Sequence, residues 1–437
     1  SAIRTCFFLV LISTAGAQAQ STPAPQDTVM TERVQQLEKQ LDELKSEIAA
    51  IKASSTAAPA PAAVATVPQS NLVSSASTAP AADAAKASTL ASILGPTSLS
   101  GFVDVYYGQN FNNPATRNNG LRSFDTSNNQ FSLNLIELVV DKTPDATNSR
   151  TGYHIALGYG QAMNAIYAAG TGSSFSADQY VKEAYFSYLA PVGKGLQIDV
   201  GKFVTPHGAE VIETKDNINY SRGILFSYAI PYYHFGMRAK YAFNDKYSLT
   251  GFLVNGWNNV IDNNSGKTYG LTFGWNPTKK ISIAQCYMAG PEQTNLNSDW
   301  RQLLDTVVTY SATKRLTLTA NYDYGRGDHM TGVVDPVYWT GIAAYAKYAL
   351  NSKYSVATRY EYYNDHYGFT TGTAGHIQEI TGTFEHPFAS HIISRLEFRH
   401  DVANNPIFTK GTSSPVNSQS TVTAGLVFLF DTREGTK

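Results

Sequence analysis

From residue 97 to residue 430 the chain alternates apolar and polar positions in runs of about ten to fourteen residues, broken by Gly, Pro, Asn, Asp and Lys. Sixteen runs predict sixteen strands: 97–109, 129–142, 150–161, 178–190, 194–204, 232–243, 246–257, 266–276, 279–289, 299–310, 314–325, 337–349, 351–364, 376–387, 390–402 and 419–430. A strand tilted as in a barrel needs ~9–11 residues to cross a bilayer, whereas strands of soluble sandwiches are usually about half that length. The links alternate as well. A short set (143–149, 191–193, 244–245, 277–278, 311–313, 350 and 388–389) interleaves with a long set (110–128, 162–177, 205–231, 258–265, 290–298, 326–336, 365–375 and 403–418). Short turns on one rim and long loops on the other is the asymmetry of outer-membrane barrels. With the N-terminus in the periplasm, the long set lies outside, and an even strand count returns the C-terminus to the periplasm. The predicted fold is all-β: a closed antiparallel transmembrane β-barrel of about sixteen strands over residues 96–430, with a tail at 431–437.

A different period precedes it. Met30, Val34, Leu37, Leu41, Leu44, Ile48 and Ile51 form a heptad seam flanked by charges, which predicts a coiled-coil helix over residues 28–52. A lone helix of that length is marginal in water, so the seam predicts self-association into a homo-oligomer, a trimer among the candidates. Residues 53–95, rich in Ala, Pro, Ser and Thr, read as a flexible linker. Residues 1–19, with Arg4, an apolar core and Ala17-Gln18-Ala19, read as a signal peptide.

Composition removes several alternatives. A net charge of −1 argues for no nucleic-acid partner. Cleavage after Ala19 removes Cys6 and leaves Cys286 alone, so no intrachain disulfide can form. No apolar run is long enough for a membrane helix, which leaves a barrel open because alternating strands average to modest hydropathy.

In lipid every backbone polar group must pair internally, so a spanning sheet closes and sends alternate side chains into lipid and lumen. Leu196, Ile198 and Val200 then face lipid, and Gln197 and Asp199 the lumen. The same parity sends Arg238, Lys240, Arg315, Asn321, Asp323, Arg359, Glu361, Arg395, Glu397 and Arg399 inward. Glu137 breaks the pattern, sharing a face with Phe131, Leu133 and Leu135. Tyr106, Tyr107, Tyr188, Trp257, Trp275, Tyr324, Tyr348 and Tyr363, near strand ends, read together as interfacial girdles. Sixteen strands enclose a water-filled passage rather than a lumen plugged by its own walls.

The longest external link, 205–231, carries Glu210, Glu213, Lys215, Asp216 and Arg222 and then the apolar run Ile224-Leu225-Phe226. An exposed loop has no use for that run; a loop folded into the lumen buries it against the wall and turns its charges to the channel. The candidate pore-lining or constriction residues are therefore those five with Asp199, Arg238, Lys240, Arg315, Asp323, Arg359, Glu361, Arg395, Glu397 and Arg399.

Gly201-Lys202-Phe203-Val204-Thr205-Pro206-His207-Gly208-Ala209-Glu210, with Asn219-Tyr220-Ser221-Arg222 and Pro231, resembles the pattern of the OmpL-like β-barrel porin family. The resemblance runs from about Leu99 to Phe430 and implies a porin-like barrel of the bacterial outer membrane. Such barrels usually end on an aromatic residue, whereas here residues 431–437 follow Phe430. The coiled coil and linker resemble the N-terminal extensions of other trimeric porins.

No catalytic motif stands up. Gly266-Lys267-Thr268 lacks the first glycine of a phosphate loop, no Gly-x-Ser-x-Gly or His-Glu-x-x-His occurs, and the histidines lack metal-ligand spacing. No enzyme, cofactor or metal is expected. The expected function is passive diffusion of small hydrophilic solutes and ions through an outer-membrane channel, with outer-membrane lipid around it and the coiled coil in the periplasm. The alternative is a structural or adhesive envelope protein that uses the barrel as an anchor; ion conductance separates the two.

Overall fold

The computed structural model describes residues 95, 97–170, 176–329 and 336–432. The signal peptide, the coiled coil and the linker, apart from Gly95, lie outside the described residues, as do residues 433–437 of the tail.

Period-two sequences form the wall strands β1 (Ser98–Asn110), β2 (Gln130–Lys142), β3 (Thr151–Tyr159), β4 (Val181–Ala190), β5 (Leu196–Val204), β6 (Tyr233–Ala242), β7 (Tyr247–Val254) and β8 (Thr268–Thr278). The second half of the wall is β9 (Ile281–Gln293), β10 (Leu296–Ser311), β11 (Leu316–Gly327), β12 (Val337–Ala349), β13 (Ser355–Asp365), β14 (Gly375–Ala389) and β15 (Ile392–Ala403). A small hairpin of β16 (Phe408–Lys410) and β17 (Ser414–Val416) sits in the last external link, and β18 (Ser418–Asp431) completes the wall. Every wall strand pairs antiparallel with its neighbours, and β1 pairs with both β2 and β18, closing a sixteen-stranded barrel. Closure leaves no edge with unpaired N–H and C=O groups.

The external links are more ordered than loop composition suggests. The second holds α1 (Gln161–Ala168) and a 3-10 turn (Ser176–Tyr180), so β4 starts at Val181, three residues later than expected. The fifth is only a hairpin tip: β9 and β10 extend to Gln293 and Leu296, with Asn295 at φ 61° in the left-handed conformation that Asn tolerates.

The outer face is apolar where it meets lipid. On β8, Tyr269, Leu271, Phe273 and Trp275 are exposed, while Thr268, Gly270, Thr272 and Gly274 alternate with them and face inward. Glu137 falls into place through a β-bulge. The β1–β2 register steps from Asp104 opposite Leu135 to Val105 opposite Leu133, leaving Asn134 as the extra residue. One inserted residue reverses the parity: Phe131 points out, whereas Leu135 and Glu137 are buried inside. The girdle reading holds unevenly. Tyr188, Trp275, Tyr324 and Tyr348 are exposed, but Tyr106, Trp257 and Tyr363 are buried. Tyr106 donates its hydroxyl to Gln161 (2.6 Å) and accepts from the Ser127 N–H (3.0 Å).

Candidate functional site

Between β5 and β6, residues 205–231 leave the rim and cross to inward-facing side chains of the opposite wall. Two short turns shape the segment, a 3-10 turn (Thr214–Asp216) and a π-helical turn (Leu225–Ala229). Neither is long enough to satisfy its own backbone, so the wall supplies the partners. Arg395 of β15 donates to the carbonyls of Thr214 (2.6 Å), Asn217 (2.8 Å) and Asn219 (3.1 Å). Glu397, two residues on, accepts the N–H groups of Tyr220 (2.6 Å) and Ser221 (2.9 Å). Arg399 donates to the Arg222 carbonyl (2.7 Å). Glu361 of β13 accepts from the Ile224 N–H (2.5 Å), and Asn321 of β11 accepts from the Ala209 N–H (2.9 Å). Period-two spacing on β15 thus matches a cation, an anion and a cation to carbonyls, amides and a carbonyl of one loop.

The apolar run of the loop is buried. Ile224, Leu225 and Phe226 join Phe124, Tyr232, Trp339 and Tyr363 in one cluster. Phe124 lies edge-on to Tyr232 at 5.5 Å between ring centres, and the Trp339 indole donates to the Ala229 carbonyl (3.0 Å). Burying side chains of this kind stabilises by roughly 1.5–3 kcal/mol each. Two inward glycines make room for the loop: a Cβ on Gly425 would come 2.3 Å from the Tyr220 ring, and one on Gly341 would come 2.7 Å from Leu225.

The charged groups form separate clusters. Glu361 and Glu379 lie directly opposite each other on β13 and β14, an arrangement that like charges disfavour. Arg359 resolves it, reaching Glu379 at 2.6 Å, Glu210 of the loop at 2.7 Å and Glu361 at 3.8 Å. Arg399 adds contacts to Asp401 (2.7 Å) and Glu379 (3.3 Å). Glu213 pairs with Lys182, which also holds Glu137 at 2.6 Å. Lys182 is itself the extra residue of a second bulge, between β3 and β4, so two bulges turn Lys182 and Glu137 to the same interior point. On the far side Asp199 accepts from Ser187 (2.7 Å), Gln197 (2.8 Å) and Arg238 (2.7 Å), and Lys240 lies 2.9 Å away.

The remaining candidates stand differently. The Arg222 guanidinium is buried over the Phe124 ring at 4.7 Å and donates to the carbonyls of Tyr220 and Ile212, so it braces the loop from within. Lys215 and Asp216 pair with each other at 2.5 Å and are partly exposed. Asp323 lies opposite Asp305, with Asn321 between them donating 2.7 Å to Asp305. Arg315 is not brought to the site: it precedes β11 on an exposed turn, because parity extrapolated past the end of a strand has no wall to act on. His207 is buried against Phe252 and the His234 ring; burial and the second imidazole push its pKa well below the ordinary histidine value.

Sequence reasoning missed Asp104, Glu379, Glu385, Asp401 and Lys182. Asp104 accepts the Tyr220 hydroxyl (2.9 Å), and Glu385 pairs with Arg395 at 2.7 Å. Glu379 and Glu385 obeyed the alternation of their segment and were legible by the parity used for Arg395. Asp104 was masked by its aromatic neighbours Phe102 and Tyr106, and Lys182 by its bulge.

A family model described as "Putative beta-barrel porin-2, OmpL-like" matches residues 96–430. The anion-selective porin from Comamonas acidovorans superposes with a TM-score of 0.52 at 9% identity, covering 76% of this chain and 99% of that one. The trimer form of in-vitro folded OmpT, an outer membrane protein of Vibrio cholerae, gives 0.52 at 12% identity, with 76% and 99% covered. Outer-membrane expressed OmpT of Vibrio cholerae gives 0.50 at 11% identity, with 76% and 97% covered. At these identities the likeness is one of fold. No curated protein matches the chain in sequence.

Proposed function

Since the chain belongs to the OmpL-like β-barrel porin family and is an outer-membrane porin, we propose that residues 205–231 form the constriction of its diffusion channel for small hydrophilic solutes and ions. The observation that carries this reading is the bonding of the loop to inward side chains of β11, β13 and β15, across the lumen from its own strands. The loop fills that side. Beyond Phe252, the wall of β7–β9 presents small groups inward, among them Thr250, Thr272, Gly274 and Ala284, and in this reading the passage runs there.

The charges that act on a permeating ion are those water reaches. Arg359, Arg395, Arg399, Glu361 and Glu397 are buried and engaged by the loop or by one another, so they hold it in place. The Lys240 and Lys347 side chains are 37% and 34% exposed, on the same inward parity, against 15% for Glu385, the partner of Lys347. In this reading the two lysines, each the more exposed member of its ion pair, give the passage a weak anion preference.

Deleting residues 213–224 is expected to raise single-channel conductance in planar bilayers and to admit larger neutral sugars in liposome swelling. A folded deletion barrel with unchanged conductance would remove the loop from the role of constriction. A wild-type barrel with no conductance would favour an envelope anchor. Lys240→Gln with Lys347→Gln should move the reversal potential in a KCl gradient towards cations. In the same reading the heptad seam at residues 28–52 holds a periplasmic coiled coil that ties barrels into a homo-oligomer, a trimer among the options.

A further inference from the structure

Above the constriction loop, at the external end of the lumen, lies a cavity of 590 Å³. Its lining comes from the first, second, third, fourth and seventh external links and from β10 and β12. That volume is within the ~300–1,000 Å³ of small-molecule sites. Aromatic groups make much of the wall: Tyr228, Tyr232, Trp257, Trp339 and Phe369.

One cation in it has donors to spare. Arg301, on β10, carries its guanidinium over two rings, 5.0 Å from the centre of Trp257 and 5.1 Å from that of Phe369. Its Nε is buried with no hydrogen-bond partner, and among the described residues the side chain makes no hydrogen bond and no ion pair. Glu292 is its nearest counter-charge, but both carboxylate oxygens accept elsewhere, from Thr268 Oγ1 (2.6 Å) and from the Trp257 N–H (2.8 Å), so it attracts the guanidinium without accepting a hydrogen bond from it. Arg122, the other guanidinium of the cavity, is neutralised by Asp125 at 2.6 Å and Asp401 at 2.7 Å. The cavity therefore holds one guanidinium whose hydrogen-bond donors find no acceptor among the described residues.

A guanidinium donates only along its edge, in its own plane. A planar acceptor pair fits that edge, and a carboxylate supplies one with the charge to match. The remaining aromatic wall suits a flat apolar body. We propose that this cavity is a capture site for small aromatic carboxylates, with the carboxylate on the edge of Arg301 and the ring against the aromatic side chains. The channel reading enters only in what happens to the solute afterwards; binding stands or falls without conduction.

The test is calorimetric titration of the full-length protein, folded in detergent, with benzoate, its neutral analogue benzamide, and maltose. Conductance in KCl is measured separately, so failure of the capture site and failure of the channel are distinguishable. Benzoate should bind about tenfold or more tightly than benzamide, the scale of one charge-assisted hydrogen bond. Arg301→Gln should abolish that difference, and Arg301→Lys, which keeps the charge but not the planar fork, should restore part of it. Arg326→Gln, at the rim of β11, should change nothing. Heat-modifiable mobility on gels confirms that each variant is folded, and the comparison of benzoate with benzamide on wild type needs no variant. Equal affinity for benzoate and benzamide, maltose binding more tightly than benzoate, no binding at all, or full discrimination in folded Arg301→Gln would each overturn the proposal.

Discussion

Arg359 shows how single residues act here. It is fully buried, and three carboxylates converge on it, those of Glu210, Glu361 and Glu379. A buried ion pair is weak evidence of net stability, because desolvation offsets attraction, but losing one partner leaves the others uncompensated. Arg359→Ala is therefore expected to lower the unfolding free energy by about 3–5 kcal/mol in urea titrations of the detergent-folded barrel. A change within error would mean that water already reaches these carboxylates. Arg222 illustrates the opposite lesson. From sequence it reads as a channel charge, yet its guanidinium braces the loop against Phe124 and two carbonyls. Residue type named the chemistry available, and burial decided whether a solute meets it.

At the scale of elements, the bulges and the loop depend on each other. Asn134 is the extra residue of β2; its side chain donates to Asp104 (2.5 Å) and to Thr214 of the loop (3.0 Å). Deleting Asn134 would swap the faces of one half of β2 and turn Glu137 towards lipid. We expect that deletion to cut folding yield into lipid vesicles sharply, whereas Asn134→Ala, which keeps the bulge, folds to near wild-type yield. Equal yields would show that register here is not set by the bulge. Gly425 tests the seat of the loop. A side chain there meets the Tyr220 ring, so Gly425→Val should displace the loop and raise single-channel conductance while leaving barrel folding intact. Unchanged conductance would place the narrowest point away from Tyr220. Strand existence was legible in the alternation of each segment; the bulges were not, since one inserted residue leaves composition and hydropathy almost untouched.

The whole molecule is held by closure. Each wall strand has two partners, so no single one can slip without moving its whole inward set of charges. A basic side chain displaced to the lipid midplane costs ~2–4 kcal/mol. Sixteen strands leave room for an internal loop that a smaller barrel would exclude. We propose that assembly beyond the barrel rests on the heptad seam. Leu37→Asp with Leu44→Asp should abolish the crosslinked oligomers that depend on it. The same ladder of crosslinked species in the double mutant would assign assembly to the barrel wall.

The sequence by itself determined the barrel. Lipid outside and water inside impose a period of two on every strand, bilayer thickness sets strand length, and two unlike rims set the link lengths; each constraint is local and is written within one segment. It also marked the loop at 205–231, because an apolar run in the longest external link has to be buried somewhere. Only the tertiary structure decided what that loop touches. Arg359 and Glu210 are separated by 149 positions, and Tyr220 and Glu397 by 177. No local period encodes such a contact: it follows from closing the sheet, which fixes which strand faces which. Closure likewise brought Arg301 over rings from two different links and left its Nε without a hydrogen-bond partner. Which charge is matched and which is not depends on the assembled geometry, since every acid and base that competes for it arrives from a different strand.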